Sequence, residues 1–339
     1  MVKALLMTLP VVIPALIFYI WADPFKAARH HDVYFPDPDK YPARVGINKG
    51  VVTFRTYEKM LAEGRRYNAF IFGSSISCYY DVHEWKELLT KQTGAADVRP
   101  FHFDSSSESL VQMAEKVRYL YDRGDTIRYA LVVLDPLVMA YVEKDAPYRM
   151  DPIDLHPDPF YFLRYHYIFF RASTNADFFK SWLPGAITGR RYDNSRNPVF
   201  ETQPIVYDPT VNQETMPQWD SIIAANPGEF YAGHPLVESP VHPVESPRLL
   251  TGRNRQALLD IASIFRKSST DYQIIIGPNR RKVTLNRQDR EWLESLFGRD
   301  RVHDFSRTLS KDLEQDTLLY DNTHYRPAYA TRLLRLLYP

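Results

Sequence analysis

The chain has 339 residues, 45% apolar and 24% charged, with a formal net charge of +1. That length suits one large α/β domain with an insertion, or one domain and a small companion, and the near-neutral balance argues against a nucleic-acid partner or a polybasic grip on a membrane. The lone Cys78 excludes an internal disulfide, and 25 prolines against 13 glycines predict long ordered loops rather than flexible linkers.

Along the chain, Ala4 to Trp21 comes first, an uncharged stretch of 18 residues preceded by Lys3. As a helix it would span roughly 27 Å, close to the hydrocarbon thickness of a bilayer. Pro10 and Pro14 are tolerated in such helices, and Tyr19 and Trp21 suit an interface. A cleavage site needs small residues two apart, and only Ala22 is offered. Residues 1–24 are therefore expected to form an uncleaved N-terminal transmembrane helix, and residues 25–50 a polar strap. Lys3 is offset by Lys26 and Arg29, so the short tail decides orientation: a single pass of the cytoplasmic membrane, with the domain on the periplasmic side.

Val51 to Arg66 reads as an amphipathic helix and Tyr67 to Gly73 as a buried parallel strand ending in Gly and Ser. Val82 to Thr93 is a helix. Val98 to Phe103 is a second strand, ending at Asp104-Ser105-Ser106-Ser107. Glu108 to Arg123 carries a helical stripe of Leu110, Met113, Val117, Leu120 and Tyr121. Tyr129 to Leu134 is a third strand, closing on Asp135-Pro136. Between 137 and 250 the rhythm breaks: fourteen prolines fall in residues 147–247, and Phe160 to Phe170 holds eight aromatic rings in eleven residues. This region is expected to be an insertion or cap, its aromatic run either a buried helix or a surface against a membrane or greasy partner. The alternation resumes with a helix from Arg253 to Lys267, a strand from Tyr272 to Ile276, a helix from Gln288 to Phe297, a strand from Val302 to Phe305 and a helix from Pro327 to Leu337. Strand and helix alternating over 51–136 and 251–339 predict a parallel sheet with crossover helices.

Such a sheet places its site at the carboxyl ends of its strands. Ser75 stands where the first strand turns, its hydroxyl exposed and backbone N–H groups at hand for an oxyanion, although a helix cap explains a Ser there equally simply. Asp321-Asn322-Thr323-His324 precedes the last helix. Its Asp and His, three apart, can meet on one turn, with the carboxylate holding one ring nitrogen and the other free as a base. A hydroxyl nucleophile needs such a base; an Asp cap beside a surface His is the simpler alternative. Asn279-Arg280-Arg281-Lys282 follows the fourth strand; a solvated loop is the simpler reading, and contact of Arg280 with an anionic substrate or carrier is the alternative. His30-His31 and the other histidines lack ligand spacing, so no metal and no cofactor are expected.

Together, Ile71-Phe72-Gly73-Ser74-Ser75 and Asp321-x-x-His324 resemble the nucleophile and closing blocks of SGNH/GDSL hydrolases over about 67–135 and 251–339. The Gly-Ser-Ser form and the anchor are similar to the membrane-anchored branch that includes DltD and the alginate O-acetylation proteins. The resemblance implies a flavodoxin-like three-layer α/β fold, with Ser75 as nucleophile, His324 as base and Asp321 orienting it. The chain departs from the family pattern in three places. Ser74 stands where Asp is usual, and Ser106 or Ser107 must lend the N–H that a Gly supplies. Asp135 occupies the place of an oxyanion-binding Asn, fitting a substrate hydroxyl, an ammonium or a turn instead. The implied function is a serine O-acyltransferase or acyl esterase on an extracytoplasmic glycan or envelope polymer, partnered by a membrane-bound acyltransferase. The alternative is a non-catalytic accessory subunit that binds a polytopic acyltransferase.

Overall fold

The computed structural model describes residues 2–25, 27–28, 48–140, 147–156, 158–188 and 205–339. Most of the strap expected over 25–50, with His30 and His31, lies outside them. Contacts divide the chain into two units: Met1–Arg55 with Lys144–Pro204, and Thr56–Glu143 with Ile205–Pro339.

The second unit is the α/β domain. Its sheet consists of five strands, β1 (Ala69–Gly73), β2 (Pro100–His102), β3 (Tyr129–Leu134), β4 (Asp271–Ile276) and β5 (Val302–Asp304). They pair in the order β2-β1-β3-β4-β5, and every pairing is parallel. This 2-1-3-4-5 order is one of the two common doubly wound arrangements. The two-residue side-chain period of a strand divides the sheet residues into two apolar sets. Phe70, Phe72, Val132, Leu134, Ile274 and Ile276 pack with Leu110, Met113, Leu258, Ile261, Phe265 and Leu293, from the helices Leu110–Asp122, Gly252–Lys267 and Arg287–Phe297. Ala69, Ile71, Leu131, Val133 and Ile275 pack with Trp85 and Leu89 of Val82–Thr93 and with Leu333 and Leu334 of Pro327–Leu337. Each such apolar side chain, fully buried, contributes about 1.5–3 kcal/mol. Covered on both faces, the strands read in sequence as near-continuous apolar runs rather than alternating ones.

The helices start where side chains can satisfy their first N–H groups. Asp81 accepts from His83 N and Glu84 N. Ser109 and Gln112 form a reciprocal capping box. Pro327 opens the last helix, where a missing N–H costs nothing.

Residues 205–250, grouped by sequence with the insertion, pack within the α/β unit. The hairpin Val206–Asp208 and Gln213–Thr215 runs antiparallel, and His102 N donates to Val211 O (2.9 Å). In the other unit, the aromatic run forms the helix Pro159–Ser173. Tyr165, Ile168 and Phe169 are buried with Tyr19, Ala27 and Met150, whereas Phe160, Phe162, Leu163 and Tyr167 stand exposed. The run is thus a helix with one buried and one exposed face, as the first sequence alternative expects for its buried side. The N-terminal stretch is helical over Val2–Ala22, with Pro10 and Pro14 inside. Among the described residues no helix is long and apolar enough to cross a membrane, so the anchor rests on sequence alone.

Candidate active site

β1 ends at Gly73, and the next four residues make a tight turn. Ser77 N donates to Ser74 O (2.8 Å), and Cys78 N and Sγ both donate to Ser75 O (3.3 and 2.7 Å). A Cβ on Gly73 would stand 2.7 Å from Ser77 Cβ and 3.0 Å from Val133 O, so close packing requires glycine here. The Ser77 hydroxyl donates its one proton to Ser74 O (2.7 Å). Its contact with His102 Nε2 (3.1 Å) is therefore one it accepts, which makes Nε2 the protonated nitrogen of that ring. Gln213 holds the far side of the turn: its amide donates to Cys78 O (2.7 Å) and its carbonyl accepts from Val82 N (3.1 Å). Half-buried Ser75 is presented at the crest.

The opposing turn is closed just as firmly. Leu319 and Tyr325 form an antiparallel bridge, and Tyr320 N donates to His324 O (2.8 Å). Within it, Asp321 Oδ1 accepts from Thr323 N (2.7 Å) and His324 N (2.8 Å), and Asp321 Oδ2 lies 2.7 Å from His324 Nδ1. On the other side of the ring, His324 Nε2 lies 2.8 Å from Ser75 Oγ. The carboxylate takes Nδ1–H, so Nε2 is the lone pair facing the serine hydroxyl. Burial alone would raise the Asp321 carboxyl, but the adjacent His324 ring and three hydrogen bonds hold it below its ordinary value. Tyr79 packs edge-on against His324 at 5.7 Å between ring centres. The site thus joins Ser75, His324 and Asp321 in one hydrogen-bonded chain, linking stretches 249 positions apart.

The oxyanion candidates lie beside this chain. Ser105 N donates to Gly73 O (3.2 Å), which draws the loop after β2 along the end of β1. Ser106 and Ser107 follow it, half-buried, Ser107 in the left-handed region (φ 51°). Among the described residues the N–H groups of Ser75, Ser106 and Ser107 donate to no backbone carbonyl. Groups not foreseen from sequence brace the loop. Lys116 Nζ donates to Asp104 O (2.8 Å) and pairs with Glu108 at 2.6 Å, both side chains fully buried. Asn212 donates to Asp104 Oδ1 (3.1 Å) and to His102 O. Lys116 had a signal in its spacing, three residues after Met113 on the apolar stripe; Asn212 and Gln213 had none.

Asp135 caps the short helix Pro136–Met139, its Oδ1 accepting from Leu137 N (2.7 Å). Burial pushes its carboxyl up to about 6, against the pull of the Leu137 N–H and of His324. Arg280 is buried. Its guanidinium donates to Val237 O (2.7 Å) and Leu313 O (2.9 Å) and pairs with Asp316 (2.8 Å), so it ties loops together. The solvated loop expected as the simpler reading does not hold for Arg280, whose side chain is buried on these partners.

No family model matches the chain, and no curated protein is significantly similar to it.

Proposed function

We propose that the protein is a serine-dependent O-acyltransferase or acyl esterase acting on an extracytoplasmic glycan or envelope polymer. The observation that carries this reading is the continuous chain Ser75 Oγ, His324 Nε2, His324 Nδ1 and Asp321 Oδ2, with links of 2.8 and 2.7 Å. Supporting it are the parallel sheet, whose strand ends frame the three residues, and the likeness of the two motifs to SGNH/GDSL blocks. The periplasmic setting and a membrane-bound acyltransferase as partner are part of the same proposal. They rest on the uncharged sequence from Ala4 to Trp21.

In the proposed reaction Ser75 Oγ attacks the acyl carbonyl carbon while its proton passes to His324 Nε2. The imidazolium is held by Asp321, and backbone N–H groups around Ser75 and Ser106 face the oxyanion. The C–O bond to the leaving alcohol then breaks as Nε2–H returns the proton to that oxygen. A glycan hydroxyl or water repeats the sequence in reverse, breaking the Oγ–acyl bond and restoring Ser75. Transfer and hydrolysis differ only in which hydroxyl arrives.

A fluorophosphonate probe is expected to label the wild-type protein once, at Ser75, and to leave Ser75→Ala and His324→Ala unlabelled with their folds intact by circular dichroism. Equal labelling of Ser75→Ala would end the enzymatic reading. A second reading, an accessory subunit for a polytopic acyltransferase, draws on the exposed Phe160, Phe162, Leu163 and Tyr167. Under it, Ser75→Ala leaves polymer acylation intact in cells, whereas polar replacement of those four residues abolishes it.

A further inference from the structure

The proposed reaction makes no use of Asp135, yet this residue lies at the same edge of the sheet as the nucleophile. β1 and β3 are parallel neighbours with Gly73 level with Val133, and Ser75 and Asp135 each follow two residues later. Asp135 is 3% exposed. One carboxyl oxygen caps Leu137 N, while Oδ2 is shut off from solvent with no hydrogen-bond partner among the described residues. The turn that carries His324 reaches over this end of the sheet. Tyr325 Oη comes within 3.7 Å of where a Cβ on Gly277 would stand, and Gly277 N is bonded to Leu134 O, next to Asp135. The titratable groups that act on Asp135 are His324 and Tyr325 on that turn and Tyr80 beyond the nucleophile turn; the two tyrosine hydroxyls bond each other at 2.8 Å. His324 is the one group among them whose protonated form is a cation.

A helix cap needs only one acceptor, and Asn or Ser supplies it as well as Asp. A second, buried carboxyl oxygen at the strand end next to that of Ser75 is more than the cap requires. We infer that Asp135 is a second carboxylate of the site, a positioning residue acting through His324: once ionised, it stabilises the imidazolium formed when Ser75 gives up its proton. His324 then lies under two carboxylates, Asp321 bonded to the ring and Asp135 acting through space. The inference rests on the acyl-Ser75 reading and adds a determinant of its pH dependence. The direction of the Asp135 shift agrees, since burial raises it and His324 works against the rise.

The test is Asp135→Asn, which keeps the cap and removes the charge, with Asp135→Ser as a second cap-preserving variant should the first fail to fold. Two readouts are taken: the pH profile of kcat/KM for p-nitrophenyl acetate, and the His324 ring titration by NMR in a Ser75→Ala background. The expected result is a fall in kcat/KM at pH 7 of roughly tenfold, the size expected of coupling between two titrating neighbours. The acid limb of the profile, and the His324 titration, move to lower pH. A limb and a titration unchanged in either variant would overturn the inference, since a purely structural cap moves neither. The two readings fail separately. Ser75 labelled by the probe with an unmoved His324 leaves the acyl-enzyme standing without Asp135's role, and a moved His324 with no labelling does the opposite.

Discussion

Asp321→Asn is expected to lower kcat by about 10⁴-fold while leaving the fold and substrate binding in place. The reason lies in which atoms the carboxylate serves. Oδ1 accepts from two backbone N–H groups, Thr323 N and His324 N, and Oδ2 accepts from His324 Nδ1. An amide at this position keeps its oxygen on the two N–H groups, so its NH2 is left facing Nδ1. Two donors cannot share that contact. The imidazole must move its proton to Nε2, and Nε2 then presents N–H to Ser75, where a lone pair is needed to take the hydroxyl proton. The loss should fall on kcat rather than KM, because the lost interaction belongs to the transition state. Steady-state ester hydrolysis measures the loss, and imidazole 15N shifts report the tautomer. A variant within tenfold of wild type with the tautomer unchanged would show that Asp321 does not set the proton's position.

The largest stability effect is expected at Lys116. Its ammonium is buried with Glu108 at 2.6 Å, donates to Asp104 O and lies 5.4 Å from the centre of the Phe103 ring. Removing one member of a buried ion pair leaves the other charge without its counterion and costs about 3–5 kcal/mol. Lys116→Met should therefore lower the melting temperature by roughly 10 °C. Replacing both members, Lys116→Met with Glu108→Gln, should recover most of the loss, because no uncompensated charge then remains. Urea unfolding of both single variants and the double variant closes the cycle. A single variant within 1 kcal/mol of wild type would mean that water or rearrangement already satisfies Glu108. Asp104 begins the loop that carries Ser106 and Ser107, so Lys116→Met should also slow acylation beyond its effect on folding.

The Ser75–His324–Asp321 chain was legible in sequence because each half is a local pattern. A Gly-Ser-Ser at the end of an apolar run predicts an exposed serine, and Asp-x-x-His predicts a paired ring whatever surrounds it. The sheet was legible for a related reason: strands buried on both faces are apolar throughout, and β3 and the helix Pro327–Leu337 fall where the pattern puts them. The framing of the site was not legible, because it depends on partners far apart in the chain. Asn212 and Gln213 reach the ends of β2 and the Ser75 turn from a hairpin that composition grouped with the insertion. Arg280 looks like a surface cation in sequence, and only tertiary contacts reveal the two carbonyls it binds. Strand ends shifted by a residue or two where side-chain pattern and backbone pairing part ways, as at Val98 and Phe103 flanking β2.

The buried carboxyl of Asp135 also bears on how the protein's stability changes between acid and neutral pH. Its folded value near 6 stands above the ordinary 3.8, so the folded chain binds this proton more tightly than the unfolded chain does. Stability from that difference is complete below about pH 4 and drains away as pH rises through 6, a loss on the order of 3 kcal/mol by linkage. Melting curves from pH 5 to pH 8 should accordingly fall for wild type and flatten for Asp135→Asn, which should outlast its parent at pH 8. In this scaffold, sharpening the base and toughening the fold pull the same side chain in opposite directions.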